Sequence, residues 1–188
     1  LKKKLFNINV LINNAGGAFP ERTFSKDGFE LTFTVNHLGH FLLTQSLMPL
    51  LQKGHARTIN VSSEAHRSAK PDFDDLLMEK SYTGFKAYGI TKLFNIYFTK
   101  SLAEKYQQTG ITTFALHPGV VNTGIWNNTT GFLKLLTWLM KPFMISPKQG
   151  AETTIYLATE PKLDSKNGLY FKKCKVAKTA PNTDNAAA

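Results

Sequence analysis

Short apolar runs, each closed by small or polar residues, limit the fold more than any other feature of this chain. INVLIN at 8–13 leads into NAGG, RTINVSS at 57–63 ends in two serines, and ITTFALHPG at 111–119 closes on Pro-Gly. GLYF at 168–171 is a shorter run of the same kind. Such runs are typical of strands in a parallel sheet that is buried on both faces. We therefore predict four strands.

Segments with helical spacing separate these strands. Apolar residues recur every three or four positions from about Thr32 to Gln52, and a second long helix is predicted from about Thr83 to Gln107. A third begins at Ser146-Pro147 and runs to about Leu157, and the chain ends in a polar, alanine-rich tail, TAPNTDNAAA. Alternating strands and helices predict right-handed βαβ crossovers, hence an α/β fold with a parallel sheet and helices on both faces.

Composition excludes several classes of protein. The 188 residues are 42% hydrophobic and 19% charged, which is ordinary for one globular domain. The net charge of +10 comes from scattered basic residues that do not alternate with aromatics, so we expect no nucleic-acid partner. One cysteine, Cys174, excludes an internal disulfide and a four-cysteine zinc site, and fits a reducing compartment.

No secretion signal is visible, and no apolar run reaches the about 18–20 residues of a membrane span. We expect a protein that is cytoplasmic or peripheral on an intracellular membrane, and not secreted.

Polar groups distant in sequence converge on one edge of the predicted sheet. NNAGG at 13–17, SSEAH at 62–66 and HPGVVNT at 117–123 each follow the carboxyl end of a strand, where ligands bind in open α/β sheets. The helix after the second strand carries Tyr88 and Lys92, which are four residues apart and therefore lie on one helical face. We expect a binding site at this edge.

These motifs resemble those of the short-chain dehydrogenase/reductase family, in particular its retinol-dehydrogenase-like branch. The resemblance covers essentially the whole chain and rests on five motifs in family order: NNAG (13–16), VNHLGHFLLT (35–44), INVSS (59–63), YGITK (88–92) and HPGVVNT (117–123). It implies a Rossmann-like doubly wound fold and an oxidoreductase that transfers a hydride between NADP or NAD and an alcohol or carbonyl group. NADP is the cofactor favoured, and the full-length protein is expected to form a homodimer or homotetramer.

Four residues are expected to carry the chemistry. Reduction of a carbonyl needs a hydride and a proton, and Tyr88 is the candidate proton donor. A nearby ammonium lowers the pKa of a phenol, so we expect Lys92 to tune Tyr88. The resemblance implies that Lys92 also binds the nicotinamide ribose, that Ser63, in preference to Ser62, holds the substrate oxygen, and that Asn36 holds a water linking Lys92 to solvent. Alternatively, Asn36 bonds to backbone at a helix start or kink.

A second set of residues is expected to hold the cofactor. Ala15 and Gly16 allow its close approach, and Asn13 can tie neighbouring strands together. Pro118 and Gly119 shape a loop; a plain turn explains these two residues but leaves Thr123 unaccounted for. The resemblance implies that the Val120 backbone meets the carboxamide and that Thr123 reaches the pyrophosphate. The cofactor-binding candidates are thus Asn13, Ala15, Gly16, Tyr88, Lys92, Pro118, Gly119, Val120 and Thr123.

Two other kinds of site are weaker interpretations. His37 and His40 are three residues apart, but no third ligand accompanies them at metal-site spacing, so we predict no metal and interpret both as helix-surface histidines. Ser63, His66 and Asp72 are the residue types of a hydrolytic triad. They lie within one loop, and the chain has no G-x-S-x-G nucleophile motif, which argues against hydrolysis.

The segment 121–145 is rich in apolar and aromatic residues, including GFLKLLTWLMKPFMI at 131–145. An ordinary buried helix explains it. In the resembling family this region forms a lid over the substrate, which favours a hydrophobic alcohol, aldehyde or ketone, retinoid-like or lipid-derived. Lys134 and Lys141 also suit contact with a membrane surface. The sequence leaves these three interpretations open.

The glycine-rich phosphate loop expected of the family is missing before Asn13. We therefore expect 1–188 to be a single, partial Rossmann-fold domain, from the fourth strand onward, that binds dinucleotide poorly by itself. The alternative is a truncated, non-catalytic member that serves as a binding or dimerisation module, because the helices at 36–52 and 83–107 pair subunits in that family.

Overall fold

A computed structural model describes residues 5–122 and 144–184 of the chain. The predicted contact of Thr123 and most of the proposed lid at 121–145 lie outside these residues. The strands are β1 (Val10–Asn13), β2 (Arg57–Val61), β3 (Thr112–His117), β4 (Tyr170–Lys172) and β5 (Lys175–Val176). The described helices are α1 (Leu31–Phe33), α2 (Gly39–Lys53), α3 (Gly84–Lys105) and α4 (Pro147–Thr159).

Five strands form one sheet in the order β1-β2-β3-β4-β5. The first four run parallel, and β5 pairs antiparallel with β4. This confirms the predicted α/β fold. The sequence analysis missed β5, which returns through a turn where Lys173 and Cys174 have φ values of 52° and 58°. Two successive residues with positive φ make the tight turn that antiparallel hairpins prefer.

Helices cover both faces of the sheet, as predicted. Alternate strand residues point to opposite faces, so Ile59 and Phe114 pack with Leu157 of α4. On the other face, Ala115 packs with Ile96 of α3. The hydrophobic core is therefore split by the sheet, and the loops at the carboxyl ends of the strands lie between the two helical layers.

The long helices begin at polar caps. The Thr83 hydroxyl accepts a hydrogen bond from the Lys86 N–H at 3.2 Å before α3. Ser146 and Gln149 form a reciprocal capping box before α4, and Pro147 occupies its first turn. Observed ends differ from the predicted ones by only a few residues.

The helix predicted at 32–52 is not continuous. A π-helical turn, Thr34–Leu38, separates α1 from α2. A π turn inserts one residue into a helix and leaves a carbonyl without its usual partner. Here the Asn36 carbonyl, which lies within the turn, accepts a hydrogen bond from the Asn95 side chain of α3 at 3.1 Å. The compensating group lies far away in sequence, so helical periodicity alone cannot reveal the turn.

The end of the chain is also more ordered than the polar composition of the tail suggests. Ala180 and Thr183 are buried, and Pro181–Asp184 forms a 3₁₀ turn. Within the described part of the chain, no helix has the length and apolar character needed to cross a membrane.

Candidate active site

The predicted site residues gather beyond the carboxyl ends of three adjacent strands. Asn13 pairs with Asn60 in the β1–β2 register, and Val61 pairs with Leu116 in the β2–β3 register, so the three strands end side by side. Gly16 and Ser63 follow two of these ends, and Pro118 follows the third. Helix α3 places Tyr88 and Lys92 over the same edge.

The hydroxyl of Ser63 lies beside the phenol of Tyr88. Burial raises the pKa of Tyr88, and this effect is larger than the lowering of the pKa by the nearby Ser63 hydroxyl. The expected fall in the Tyr88 pKa is therefore not what the structure shows, because loss of hydration outweighs the stabilising contacts. A phenol with a raised pKa keeps its proton at neutral pH and remains available as a donor.

Lys92 lies against the ring of Tyr88, with Nζ 5.4 Å from the ring centroid. Its side chain is 3% exposed, and Nζ donates a hydrogen bond to the Val61 carbonyl at 3.1 Å. Burial lowers the pKa of Lys92 to about 8. At neutral pH the ammonium is still mostly charged, yet close enough to its pKa to exchange a proton.

Asn36 fixes the loop after β1 from within the π turn. Its side-chain oxygen accepts the Gly17 N–H at 2.8 Å, and its Nδ2 donates to the Gly17 carbonyl at 2.9 Å and to Thr91 Oγ1 at 3.1 Å. The side chain is 0% exposed. These bonds match the alternative interpretation, in which Asn36 binds backbone at a helix kink. The water that would link it to Lys92 remains a prediction.

Asn95 was missed by the sequence analysis. Its Nδ2 donates to the carbonyls of Asn36 and Val61, each at 3.1 Å, and its Oδ1 lies 3.0 Å from His37 Nδ1. The Val61 carbonyl thus accepts hydrogen bonds from both Asn95 Nδ2 and Lys92 Nζ. A signal for this residue is present in the sequence, since Asn95 lies three residues after Lys92 and interrupts the apolar and aromatic run Leu93–Phe98.

The two serines after β2 have different surroundings. Ser62 is buried, and its hydroxyl donates to the Lys92 carbonyl at 2.6 Å, so it anchors α3 to the sheet. Ser63 Oγ accepts the Ala65 N–H at 3.3 Å and faces Tyr88. This geometry favours Ser63 for contact with a substrate oxygen, in agreement with the choice made by resemblance.

His66 does not form a hydrolytic triad with Ser63. Its Nδ1 lies 2.6 Å from the Ser63 main-chain carbonyl, and its Nε2 accepts the Ala180 N–H at 3.1 Å. Both ring nitrogens are therefore engaged with backbone groups. An imidazole arranged this way cannot also act as a base on the Ser63 hydroxyl.

Asn13 is buried at the end of β1, where its side chain faces polar groups of neighbouring elements. Its Nδ2 donates to Asn60 Oδ1 at 2.8 Å and to Thr44 Oγ1 at 3.0 Å. Asn60 in turn donates to Thr99 of α3 at 2.9 Å. This chain of side chains joins two strands to two helices, which is the tying role predicted for Asn13. Its contact with the cofactor remains a prediction.

The loop after β3 has the backbone expected of Pro118 and Gly119. Gly119 has a φ of 100°, and a Cβ at this position would lie 2.5 Å from Ile145 Cδ1. The Val120 carbonyl accepts the Ile145 N–H at 2.9 Å, and Asn122 donates to the Ile145 carbonyl at 3.0 Å. These bonds fix the loop beside the edge where Ser63 and Tyr88 lie.

The interpretation of His37 and His40 as surface histidines was wrong. His40 is buried, and burial with the nearby Lys92 charge lowers its pKa to about 4. His37 is half-buried among the rings of Phe33, Phe94 and Phe98. The π turn rotates the residues after it and brings His40 under the site. Across the described residues, no three metal-ligating side chains come together.

The edge of the sheet suits the nicotinamide end of a dinucleotide. A Cβ at Gly16 would lie 2.9 Å from Asn36 Oδ1 and 3.4 Å from Lys92 Nζ, so only glycine lets the backbone pass this close to both groups. The Lys92 ammonium offers three N–H donors for a sugar hydroxyl or a carbonyl. The donor set and the narrow backbone cradle fit a cofactor at this position.

Comparison with known proteins assigns the family. The sequence profile of short chain dehydrogenases matches residues 1–133. The chain belongs to the short-chain dehydrogenase family. Within it, the chain is 45% identical to retinol dehydrogenase 12 of Mus musculus over 170 residues, 89% of this chain and 53% of that protein. It is 40% identical to human retinol dehydrogenase 11 over 172 residues, 91% of this chain and 54% of that protein. These values establish the retinol-dehydrogenase-like branch.

Solved structures of other proteins share the fold. An uncharacterised protein from Mycobacterium paratuberculosis superposes with a TM-score of 0.74 and 27% identity, covering 98% of this chain and 64% of that one. NADPH-bound carbonyl reductase from chicken fatty liver gives a TM-score of 0.65 at 23% identity, covering 95% of this chain and 68% of that one. The chain spans about half the length of the curated relatives it matches.

Proposed function

We propose that the protein containing this chain is an NAD(P)-dependent oxidoreductase that interconverts an alcohol and a carbonyl compound. The observation that carries the proposal is the contact of three groups on one edge of the sheet. The Ser63 hydroxyl lies beside the Tyr88 phenol, and Lys92 Nζ lies 5.4 Å from the Tyr88 ring. Membership of the short-chain dehydrogenase family supports a nicotinamide cofactor.

Each of the three groups has a separate task in the proposed reaction. A bound nicotinamide supplies or accepts the hydride at the carbonyl carbon. The Ser63 hydroxyl donates a hydrogen bond to the carbonyl oxygen and stabilises the negative charge that develops there. The Tyr88 phenol gives its proton to the same oxygen, and the Lys92 ammonium stabilises the resulting phenolate. Alcohol oxidation runs through the same groups in reverse.

Lys92, Gly16 and the Asn36-fixed loop are the residues that would hold the nicotinamide end of the cofactor. The ammonium suits a ribose hydroxyl, and the Gly16 backbone lets the ring approach. We also assign Asn36 the placement of a water beside Lys92, so that the phenol regains its proton from solvent. NADP is favoured over NAD by the resemblance to the family.

The substrate we propose is a hydrophobic alcohol, aldehyde or ketone, retinoid-like or lipid-derived. Relatives in Mus musculus and Homo sapiens bear the name retinol dehydrogenase, which supports this class. The apolar composition of 131–145 supports an apolar lid over the substrate, with peripheral membrane contact as its second proposed role.

A homodimer or homotetramer is the assembly that we propose for the full-length protein. Three consecutive apolar residues of α2, namely Phe41, Leu42 and Leu43, are exposed, with Leu42 at 67%. An apolar patch on one helix supports a subunit contact. The alternative function is a non-catalytic dimerisation module. Such a protein would form the same subunit contact and would have no enzymatic activity.

Replacing Tyr88 by Phe in the full-length protein tests the function. The substitution removes the proton donor and leaves the ring, so turnover should fall by about a hundredfold to ten-thousandfold. The measurement is NADPH and NADH oxidation with retinal and with shorter aldehydes. Tyr106→Phe at the end of α3 is the matched control and should leave turnover unchanged.

Near-normal turnover of Tyr88→Phe would show that another group donates the proton. No turnover by the unmodified full-length protein with either cofactor would favour the dimerisation module.

A further inference from the structure

The end of the chain is fastened to the segment that follows Ser63. We call residues 177–184 the C-terminal strap. Arg67 Nη2 donates to the Lys178 carbonyl at 2.5 Å, and Asn182 Nδ2 donates to the Ala69 carbonyl at 2.7 Å. The strap therefore holds the turn Glu64–Ser68 along most of its length.

The strap is anchored on its other side by α3. The Tyr97 hydroxyl donates to the Asn182 carbonyl at 2.7 Å, and Lys100 Nζ donates to the Thr183 carbonyl at 2.9 Å. Helix α3 also carries Tyr88 and Lys92. The strap thus links the helix of the proton donor to the turn that begins at Ser63.

His66 is the buried centre of this link. Its side chain is 0% exposed, and the ring packs edge-on against Tyr170 with centroids 5.2 Å apart. The Ala180 N–H can only donate, so His66 Nε2 must carry the lone pair. The Ser63 carbonyl can only accept, so Nδ1 must carry the hydrogen. Both partners require the same neutral tautomer.

The surroundings of His66 favour this neutral form. Burial lowers the pKa of His66, and the Arg67 charge acts in the same direction. The bond to Ser63 and the Glu64 carboxylate act against it. Glu64 is itself held by the Tyr170 hydroxyl at 3.1 Å and by Lys172 Nζ at 3.4 Å. A second proton would place an N–H of the ring against the Ala180 N–H.

We propose that His66 is a positioning residue of the active site, which fixes the Ser63 backbone through Nδ1 while the Ala180 N–H of the C-terminal strap fixes His66 through Nε2. The inference rests on the proposed function, because it assigns His66 a role in presenting the Ser63 hydroxyl. Ser63 Oγ has to reach both Tyr88 and a substrate oxygen. A displacement of about 1 Å in a reacting group can cost about a hundredfold in rate.

Two substitutions separate the two hydrogen bonds of His66. The amide of His66→Asn reaches the Nδ1 position, so it keeps a donor to Ser63 and loses the acceptor for Ala180. The amide of His66→Gln reaches the Nε2 position, so it keeps the acceptor and frees the Ser63 carbonyl. His55→Gln, at an exposed histidine in the turn before β2, is the control for the chemistry of the substitution.

In the full-length protein, kcat for carbonyl reduction should fall about tenfold to a hundredfold in His66→Gln and less in His66→Asn. KM for the dinucleotide should stay within about twofold, because the cofactor is held by other groups. A residue needed only for stability would lower the melting temperature in both variants without this order in kcat. His55→Gln should match the unmodified protein.

Amide hydrogen exchange gives a second measurement that needs no turnover. The Ala65 N–H is held by Ser63 Oγ, so its exchange should be about tenfold faster in His66→Gln. The Ala180 N–H should exchange faster in His66→Asn and stay protected in His66→Gln. Should both variants unfold, Asn182→Ala, which loosens the strap without touching His66, should speed exchange at Ala180 and Ala65.

Each result decides a separate claim. Unchanged exchange at Ala65 in His66→Gln, or in Asn182→Ala when the His66 variants unfold, overturns the positioning role whatever the activity. Faster exchange with unchanged kcat restricts His66 to a structural role and also overturns it. An inactive parent protein overturns the proposed function, and the exchange data then decide whether His66 positions the Ser63 turn.

Discussion

The charge of the Lys92 ammonium depends on how completely the side chain is buried. Burial lowers its pKa to about 8, from 10.5 for a free side chain. The folded protein therefore releases this proton at a pH where an unfolded chain still binds it. The charge that stabilises a Tyr88 phenolate is fully present below pH 8 and is lost as pH rises through that value.

We predict that kcat/KM for carbonyl reduction by the full-length protein declines above about pH 8. Lys92→Arg keeps its charge at high pH, so this variant should be slower at neutral pH but should lack the decline. The measurement is a pH–rate profile from pH 6 to 10 for both proteins. The same decline in Lys92→Arg would assign the titration to another group.

At the scale of single residues, the sequence predicted which side chains meet but not how they are charged. The spacing of Tyr88 and Lys92 put them on one helical face, and the strand ends brought Ser63 to them. The direction of the Tyr88 pKa could not be predicted, because it depends on how completely the phenol is buried. The contacts of His66 and Asn95 could not be predicted, because their partners lie in distant segments. The sequence suggested His66 only as a member of a hydrolytic triad.

At the scale of elements, the π turn and α3 stabilise each other through one amide. Asn95 Nδ2 donates to the Asn36 carbonyl within the π turn and to the Val61 carbonyl at the end of β2. Three elements therefore share this side chain. An apolar replacement of similar size removes the hydrogen bonds that Asn95 makes with the Asn36 carbonyl and with His37 Nδ1. The Val61 carbonyl still accepts a hydrogen bond from Lys92 Nζ.

We predict that Asn95→Leu destabilises the full-length protein by about 2 kcal/mol or more, because buried polar groups lose their partners. Asn9→Leu is the matched control; Asn9 is exposed, and its side chain donates one hydrogen bond, to the Gly54 carbonyl at 3.1 Å. Its cost should stay below about 1 kcal/mol. The comparison is made by urea unfolding, and equal shifts for the two variants would contradict the role assigned to Asn95.

The elements themselves were largely predictable, and their irregularities were not. Short apolar runs gave the four parallel strands, since strands buried on both faces need apolar residues at nearly every position. The π turn follows from side-chain bonds of Asn36 and Asn95, and β5 follows from two positive φ values at Lys173 and Cys174. Neither leaves a periodic signal in the sequence.

At the scale of the whole molecule, the helices bury the central strands of the sheet but leave one side of the edge strand β1 exposed. β1 lies at one edge, and its Val10 and Ile12 side chains are exposed, with Ile12 at 43%. Leu11 points the other way and packs beside α2. An edge strand that displays apolar side chains favours pairing with other chains.

We predict that the 188-residue polypeptide, expressed by itself, self-associates through β1. Ile12→Lys places a charge on the exposed face and should raise the monomer fraction measured by size-exclusion chromatography with light scattering. Leu11→Lys is the control, because it puts the charge into the core and should lower stability instead. An unchanged monomer fraction in Ile12→Lys would place the association elsewhere.

The layered architecture was predictable from the alternation of strands and helices. The packing of the C-terminal strap against the turn after Ser63 was not predictable. Contacts between His66 and Ala180 join positions 114 residues apart, and no local pattern encodes such a pairing. The polar composition of the tail suggested a segment without a partner. Its main-chain groups, more than its side chains, make the contacts with the Ser63 turn.

The position of the C-terminal strap sets the order in which the molecule is completed during synthesis. Ala180 leaves the ribosome 114 residues after His66, which at about 5–20 residues per second takes roughly 6–23 s. During this interval β1, β2 and β3 can pair while the Ser63 turn still lacks its fastening, because β4 and β5 are made only just before Ala180. A nascent chain therefore acquires the centre of its sheet before the turn beside Ser63 is held in place.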